Sequence, residues 1–259
     1  MSYYRNLIES FSYDTDAQAF FTANSTLTDA TTKTAINQFV LDLKSYSLWS
    51  LGKYMYLGFL GNSTKCSYNL FNPSAYQLTI SSGWTFDTQG MQGNGTSTYC
   101  NTGFQPSAEA SLDSKSLFIY SQTDVSELSA DIGGFDNSAG DMLLPKVGTT
   151  LYFGLSRTQW QSVPNTGTTK GLILISRTSS NDSKGYNKAS LLGTDTQVST
   201  SNPTTTDRLG CRVNISTNEW FSTRKISIYG RMNGLNATQV SNLNTCINTL
   251  LTSLSIPTW

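Results

Sequence analysis

The residues that most often carry out chemistry in proteins are scarce in this chain of 259 residues, which contains no histidine. Histidine is the commonest general base and the commonest metal ligand. Nucleophile systems built on Ser-His or Cys-His pairs are therefore impossible within one chain, and no glycine-rich nucleotide-binding motif is present. We expect no catalytic residue, no metal site and no cofactor.

The acidic residues are also poorly arranged for catalysis. Glycoside hydrolysis needs two facing carboxylates, but the four glutamates are widely spaced, at Glu9, Glu109, Glu127 and Glu219. Most aspartates stand beside Gly, Asn, Ser or Thr, where Asp favours turns. The fold could still bring two aspartates together, so a polysaccharide-cleaving enzyme is kept as the third and least favoured hypothesis.

The four cysteines show neither zinc nor disulfide spacing. Cys66, Cys100, Cys211 and Cys246 include no C-x-x-C pair, and four cysteines are too few for a disulfide scaffold in a chain of this length. The N-terminus lacks the pattern of a secretory signal peptide. We expect buried thiols in a protein made in a reducing cytoplasm.

Aromatic and arginine residues near turns are the remaining candidates for binding. Aromatic rings can stack on sugars, although such rings more often pack in a sandwich core. Arg157 and Arg177 share a Ser-Arg-Thr triplet, at the ends of two predicted strands. The ligand-binding candidates are Trp160, Tyr186, Arg157 and Arg177.

Charge and hydropathy exclude several partners. Only 13% of residues are charged and the formal net charge is zero, against about 25% charged residues in an average domain. No basic patch indicates nucleic acid or an anionic membrane. The longest apolar run, Gly171–Ile175, is far shorter than the roughly 18 residues that span a bilayer, and it fits a buried strand.

Periodicity predicts a mainly β protein. From Tyr54 to Tyr229 short strands alternate with turns, which is typical of an antiparallel β-sandwich or jelly roll. Predicted strands are Cys66–Leu70, Tyr76–Ile80, Leu117–Tyr120, Thr150–Gly154, Leu172–Ile175, Cys211–Ile215 and Lys225–Tyr229.

Two amphipathic helices flank these strands. The first, within residues 28–43, places Ile36, Phe39, Val40 and Leu43 on one face. The other face is expected to be solvated and carries Lys33, Asn37, Gln38 and Asp42. The second follows a capping box of Asn236 and Gln239 and carries an apolar stripe from Val240 to Leu254. This stripe fits packing on the sandwich edge or, alternatively, a seam between subunits.

These elements suggest a single helix-flanked sandwich domain over residues 28–259, after a lead-in over residues 1–27. Asp14 is expected to cap a short helix in the lead-in. Residues 1–13 are aromatic and have no evident place in the sandwich. The docking candidates within them are Tyr3, Tyr4, Leu7, Ile8, Phe11 and Tyr13.

A series of blocks from Asp14 onward resembles a family of tailed-phage structural proteins. The blocks occur in the order found in that family, although Gly61-Asn62 replaces its Gly-Gly and its histidines are missing here. They are Asp14–Phe20, Thr28–Asn37, Leu43–Trp49, Tyr68–Pro73, Ser82–Trp84, Asn94–Thr96, Gly171–Ser180 and Gly234–Ala237. The resemblance implies a lectin-like sandwich of the concanavalin or laminin-G type.

The resemblance also implies a function: a non-enzymatic virion component of head, neck, tail, fibre, decoration or collar. It would be located in the virion, bind other virion proteins and form a homo-oligomer, with a trimer as the common solution for fibres. The alternative hypothesis is a host-attachment adhesin that binds a surface glycan. Binding lost on changing Trp160 or Tyr186 would favour the adhesin.

Overall fold

The computed structural model describes residues 12–259 and confirms the predicted antiparallel sandwich with its flanking helices. The helices are α1 (Thr15–Ala23), α2 (Ala30–Ser45), α3 (Ser63–Cys66), α4 (Pro106–Glu109) and α5 (Ala237–Ser253), with a 3-10 turn over Trp49–Leu51. The first nine strands are β1 (Gly52–Leu57), β2 (Thr79–Ile80), β3 (Thr85–Phe86), β4 (Met91–Gln92), β5 (Cys100–Asn101), β6 (Lys115–Ser121), β7 (Ile132–Phe135), β8 (Gly140–Val147) and β9 (Thr150–Arg157). The remaining strands are β10 (Gln161–Pro164), β11 (Gly171–Ser179), β12 (Asp182–Asn187), β13 (Ser190–Asp195), β14 (Arg208–Leu209), β15 (Arg212–Asn214), β16 (Thr217–Glu219) and β17 (Lys225–Met232).

The strands form two sheets. Sheet A has the order β13-β12-β11-β6-β17-β4-β3, with β1 also paired to β17. Sheet B has the order β10-β9-β8-β7-β14-β5-β2, with β15 beside β7 and β16 beside β15. The β7–β15 pair is parallel, whereas the other pairs are antiparallel.

Both faces of sheet A are buried, one against sheet B and the other against the helices, as strand β6 shows. Its side chains alternate, so Leu117 and Ile119 pack into the core between the sheets, while Phe118 and Tyr120 pack against the helices. A strand buried on both faces reads as a nearly continuous apolar run. The predicted buried strand at Gly171–Ile175 is confirmed for the same reason, because β11 lies next to β6.

The helical layer covers the outer face of sheet A. The predicted stripe of α2 is buried, and helix α5 carries the predicted capping box. Tyr120 donates a hydrogen bond from its hydroxyl to Asn248 Oδ1 at 2.7 Å, which joins sheet A to α5. Helix α5 thus packs on the face of the sandwich, and not on its edge.

The lead-in is part of this layer from Ser12 onward. Asp14 caps α1 as predicted, by accepting from the Asp16 backbone N–H at 3.0 Å. Phe20 and Phe21 are buried in the same apolar core as α2. The predicted boundary after residue 27 therefore does not separate two packing units within the described residues.

Two local predictions are wrong. Residues 66–70 do not form a strand, because the Asn62 side chain caps the one-turn helix α3 and Asn69 holds the following segment. The Asn69 Oδ1 atom accepts from the backbone N–H groups of Met55 and Phe71. Asn37 is not a solvated helix residue either, since it is 8% exposed and accepts from the Asp14 N–H at 2.7 Å.

Candidate functional site

The outer face of sheet B carries aromatic residues and an arginine where sheet A carries helices. On β8 and β9 the side chains of Leu143 and Phe153 point into the core, whereas Met142, Leu144 and Tyr152 point outward. This alternation follows from the pleat of the strands. The outward residues make a small apolar base that Trp160 and Trp220 pack against.

Two glycines let larger side chains lie directly on this face. A Cβ atom on Gly154 would stand 3.1 Å from Trp160 Cδ1, and one on Gly133 would stand 2.7 Å from Arg212 Cβ. Real Cβ atoms essentially never approach another heavy atom as closely as the second distance. The absence of a side chain at these two positions therefore lets Trp160 and Arg212 pack directly against the backbone of the sheet.

We call Phe135, Trp160, Arg212 and Trp220 the aromatic–arginine cluster. The rings of Trp160 and Trp220 meet edge to face with centroids 5.0 Å apart, and Phe135 lies 6.3 Å from Trp160. The guanidinium carbon of Arg212 lies 3.7 Å from the Trp220 centroid and 4.7 Å from the Trp160 centroid. Such contacts combine dispersion with the attraction of a cation for an aromatic face.

Glu219 orients the arginine of the cluster. It stands opposite Arg212 in the β15–β16 hairpin, and its Oε1 atom accepts from Arg212 Nε at 2.6 Å. This charge pair leaves the cluster without excess charge. Within residues 12–259 the Trp160 Nε1 atom has no hydrogen-bond acceptor. This N–H is buried, so what the cluster offers to a ligand is the surface of its half-buried rings.

Of the four predicted ligand-binding residues, only Trp160 lies in this cluster. Tyr186 is 2% exposed and packs into the core beneath the helical layer, so the expectation that it presents its ring to solvent is wrong. The physical reason is its register on β12, where Tyr186 pairs with Leu174 of β11 and both side chains lie on the face of sheet A that the helices cover.

Arg157 and Arg177 are brought together, but inside the protein. Both approach the Oδ2 atom of Asp195, at 3.5 Å and 4.0 Å. Arg177 also donates from Nε to the Leu155 carbonyl at 3.0 Å, and burial lowers the pKa of its guanidinium. These arginines tie β9, β11 and β13 together and do not offer a charge to a surface ligand.

Among the docking candidates, Tyr13 lies within the described residues and packs edge to face on Phe21, with centroids 4.9 Å apart. Tyr3, Tyr4, Leu7, Ile8 and Phe11 lie outside the described residues.

Sequence reasoning missed Phe135, Arg212 and Trp220. The pattern of Cys211–Ile215 predicts an ordinary strand and gives Arg212 no binding role. A signal was present, because Arg212 and Glu219 are spaced so that a tight hairpin would pair them. The contact with Trp160 has no local signal, since it joins distant parts of the chain.

The buried acids are held by cations. Asp141 accepts from the Lys115 ammonium at 3.2 Å and from Arg231, and its pKa falls to about 2 despite complete burial. Asp207 accepts from Arg231 and from the Tyr54 hydroxyl, at 2.7 Å and 2.8 Å. Partners of this kind stabilise ionised carboxylates inside a protein. Such acids serve the fold.

Asp131 behaves differently from Asp141. It is 0% exposed, and burial raises its pKa to about 6, although Arg224 Nε lies 3.0 Å from its Oδ2 and Ser222 donates to it at 2.6 Å. Across residues 12–259 no group of three or more His, Cys, Asp or Glu side chains is placed to hold a metal ion. The four thiols are buried and unpaired.

A groove of about 540 Å³ lies on the opposite side of the molecule, between α2 and α5. Small and uncharged residues line most of it, including Thr34, Ala35, Thr249 and Leu250, with Asp42 at one side. Helix α5 contains no charged residue over its 17 positions. No helix in the described part of the chain is long and apolar enough to cross a membrane.

No protein-family model matches the chain, and no curated protein matches its sequence. Solved structures do match its fold. Domain 4 of an extracellular arabinanase from Geobacillus stearothermophilus, in complex with arabinotriose, aligns with TM-score 0.52 and 15% identity over 74% of this chain and 99% of that domain.

Two further structures share the architecture. The binding domain of botulinum neurotoxin serotype D aligns with TM-score 0.55 and 11% identity over 77% of this chain and 52% of that chain. A Trypanosoma rangeli sialidase in complex with sialic acid aligns with TM-score 0.56 and 10% identity over 83% of this chain and 39% of that chain. The chain thus spans about half or less of these two proteins, and identities this low establish the fold alone.

Proposed function

We propose that this chain is a non-enzymatic, lectin-like domain that binds a glycan on a surface through the aromatic–arginine cluster. The observation that carries the proposal is the packing of Trp160, Trp220 and Arg212 on an open sheet face. Ring faces accept the C–H faces of sugars, and a guanidinium N–H can donate to hydroxyl oxygens.

The fold comparisons support this proposal indirectly. Domain 4 of the arabinanase, which is matched over 99% of its length, is a complex with arabinotriose. That example shows one domain of this architecture in a complex with a sugar. Function resides in a particular site and not in a fold, so the cluster and not the likeness is the object of the test.

The test is a glycan array followed by titration of any hit. We expect millimolar to micromolar binding, weakened at least about tenfold by Trp160→Ala or Trp220→Ala, which corresponds to ~1.4 kcal/mol. Tyr46→Ala is the matched control, because Tyr46 is 43% exposed and lies on the helical side. Binding that survives both tryptophan changes would exclude the cluster as the contact, and release of reducing ends would overturn the non-enzymatic assignment.

The second candidate function is a structural component of a phage virion that binds other virion proteins. The groove between α2 and α5 favours it, because an uncharged, largely apolar surface suits protein–protein assembly. The phage particle, the homo-oligomer and the virion location in this candidate function rest on the sequence resemblance alone. The two functions are compatible, since the groove and the cluster lie on opposite faces.

Deleting residues 1–11 tests the second candidate while keeping the Tyr13–Phe21 contact. If this segment docks the protein, the truncated chain folds but is lost from particles. Normal incorporation would contradict the docking role. An array without hits, together with stable particle association, would favour the purely structural function.

A further inference from the structure

The side chain of Lys115 is enclosed with an amide and a carboxylate. Lys115 is 1% exposed, and its ammonium donates to both oxygens of Asp141, at 3.3 Å and 3.2 Å, and to Asn202 Oδ1. These residues come from β6, β8 and the segment between β13 and β14. The fold therefore places an amine, a side-chain amide and a proton acceptor in one enclosed site.

The amide of Asn202 is fixed on both sides. Its Nδ2 atom donates to the carbonyls of Pro106 and Ala110, at 3.1 Å and 2.7 Å. Its Oδ1 atom accepts from the Ser156 hydroxyl at 2.7 Å. The amide oxygen is thereby turned toward the lysine, while the amide nitrogen faces two carbonyls that can hold an ammonium ion.

We propose that Lys115 and Asn202 join in an intramolecular isopeptide bond. Lys115 first loses one proton to solvent, and the neutral amine attacks Cγ of Asn202. The Ser156 hydroxyl donates to the oxygen that becomes negative. Asp141 then takes a proton from the attacking nitrogen and passes it to Nδ2. The Cγ–Nδ2 bond breaks as the carbonyl re-forms, and nitrogen leaves as ammonia, which takes up a proton from water and departs as ammonium.

The electrostatics of the site favour this step. Burial lowers the pKa of Lys115 to about 8, so a large share of the amine is neutral at mildly alkaline pH. The other charged and titratable groups of the site are Arg231, Asp207 and Tyr54. Burial raises the pKa of Asp207, so this carboxyl is placed to take up a proton once a positive charge has left.

Two features make the reaction specific to this pair. Preorganised groups react far faster than free ones because their orientation is already fixed. Asn202 is also followed by Pro203, whose nitrogen carries no hydrogen. The succinimide route, by which asparagine ordinarily loses ammonia, needs that hydrogen and is closed here. Asn202 is only half-buried, which leaves a way out for the ammonium.

The bond would close a covalent loop across 87 residues. It would connect sheet A, through β6, to the segment that leads into β14 of sheet B. Such a tie opposes separation of the two sheets. A domain exposed outside a cell would gain resistance to unfolding without a disulfide.

The decisive measurement is the intact mass of the purified chain after denaturation, followed by a tryptic map. We expect a mass lower by one ammonia, no cleavage after Lys115, and a peptide linked to the one that contains Asn202. Asn94-Gly95 and Asn233-Gly234 can lose ammonia as succinimides, and the map separates them because they leave Lys115 cleavable.

Three variants complete the test. Asn202→Ala should restore the full mass and cleavage after Lys115, and Asn181→Ala, at an exposed loop position, should keep the bond. Asn202→Asp should lose water and reach the same mass as the linked natural chain. The full sequence mass with cleavage after Lys115, after incubation of the folded protein at pH 8–9, would overturn the proposal.

Discussion

The two outer faces of the sandwich are covered in different ways. The outer face of sheet A is covered by α1, α2 and α5, and its apolar side chains are buried beneath them. Within residues 12–259 no helix covers the outer face of sheet B, and three aromatic rings and one arginine pack directly on its backbone. The covered face is specified by apolar area, whereas the open face is specified by a few oriented contacts.

This difference predicts where substitutions should act. Burial of apolar area contributes most of the folding free energy, so the covered face should dominate stability. Oriented rings and an ion pair at a surface contribute less to folding but define what a ligand meets. The open face should therefore dominate recognition.

The largest effect is expected from Phe39→Ala on α2. Phe39 is 1% exposed in the core between the helices and sheet A, so its loss should lower the free energy of unfolding by about 3–5 kcal/mol. Leu41→Ala on the same helix is the control, because Leu41 is 40% exposed and should change it by ~0.5 kcal/mol or less. Denaturant titration measures both, and equal losses would refute the distinction.

A second prediction concerns the acids at sheet B. Because the pKa of Asp131 is raised from 3.8 to about 6 in the folded state, the folded protein binds a proton that the unfolded chain lacks between these values. The contribution of Asp131 to stability should therefore decrease as pH rises from about 4 to 6, by on the order of 2–3 kcal/mol.

Asp131→Asn should remove this slope, since the amide resembles the protonated acid. The contribution of Asp141 has the opposite sign, because its pKa is lowered to about 2 and its stabilisation is lost as pH falls from 3.8 toward 2. Unfolding measured across pH 2–7 checks both. Identical pH profiles for the natural chain and Asp131→Asn would contradict the prediction.

The smallest effect on stability is expected from Gly154→Ala. The new Cβ would stand 3.1 Å from Trp160 Cδ1, so the indole must shift by a few tenths of an ångström. We expect the free energy of unfolding to fall by about 1 kcal/mol together with weaker glycan binding. Gly167→Ala, where the nearest atom is 3.8 Å away, should leave both unchanged. Unaltered binding by Gly154→Ala would argue against the cluster.

Local patterns predicted much of the covered face. The apolar stripe of α2, the capping box at Asn236 and the doubly buried strand at Gly171–Ile175 all follow from short-range periodicity or from one cap. The predicted strand at residues 66–70 is wrong because the Oδ1 atoms of Asn62 and Asn69 accept backbone hydrogen bonds there, in place of strand pairing. Amides compete with backbone pairing in this way.

The open face was much less predictable. Trp160 was identified from its ring and its position near a turn, but its partners Arg212 and Trp220 lie more than 50 positions away in the sequence. The two Ser-Arg-Thr triplets made Arg157 and Arg177 candidates for ligand binding, but no local pattern shows that both arginines meet Asp195 in the interior. Burial of charge depends on the finished fold.

The covering of sheet A also determines how the protein can be held. Both limits of the described chain lie on that side, with Asp14 hydrogen-bonded to α2 and the Trp259 N–H donating to the Tyr120 hydroxyl at 3.0 Å. A linker or a bead joined after Trp259 would therefore leave from the helical side. Trp160 and Trp220 lie on the other outer face, so attachment at Trp259 would keep them away from the support.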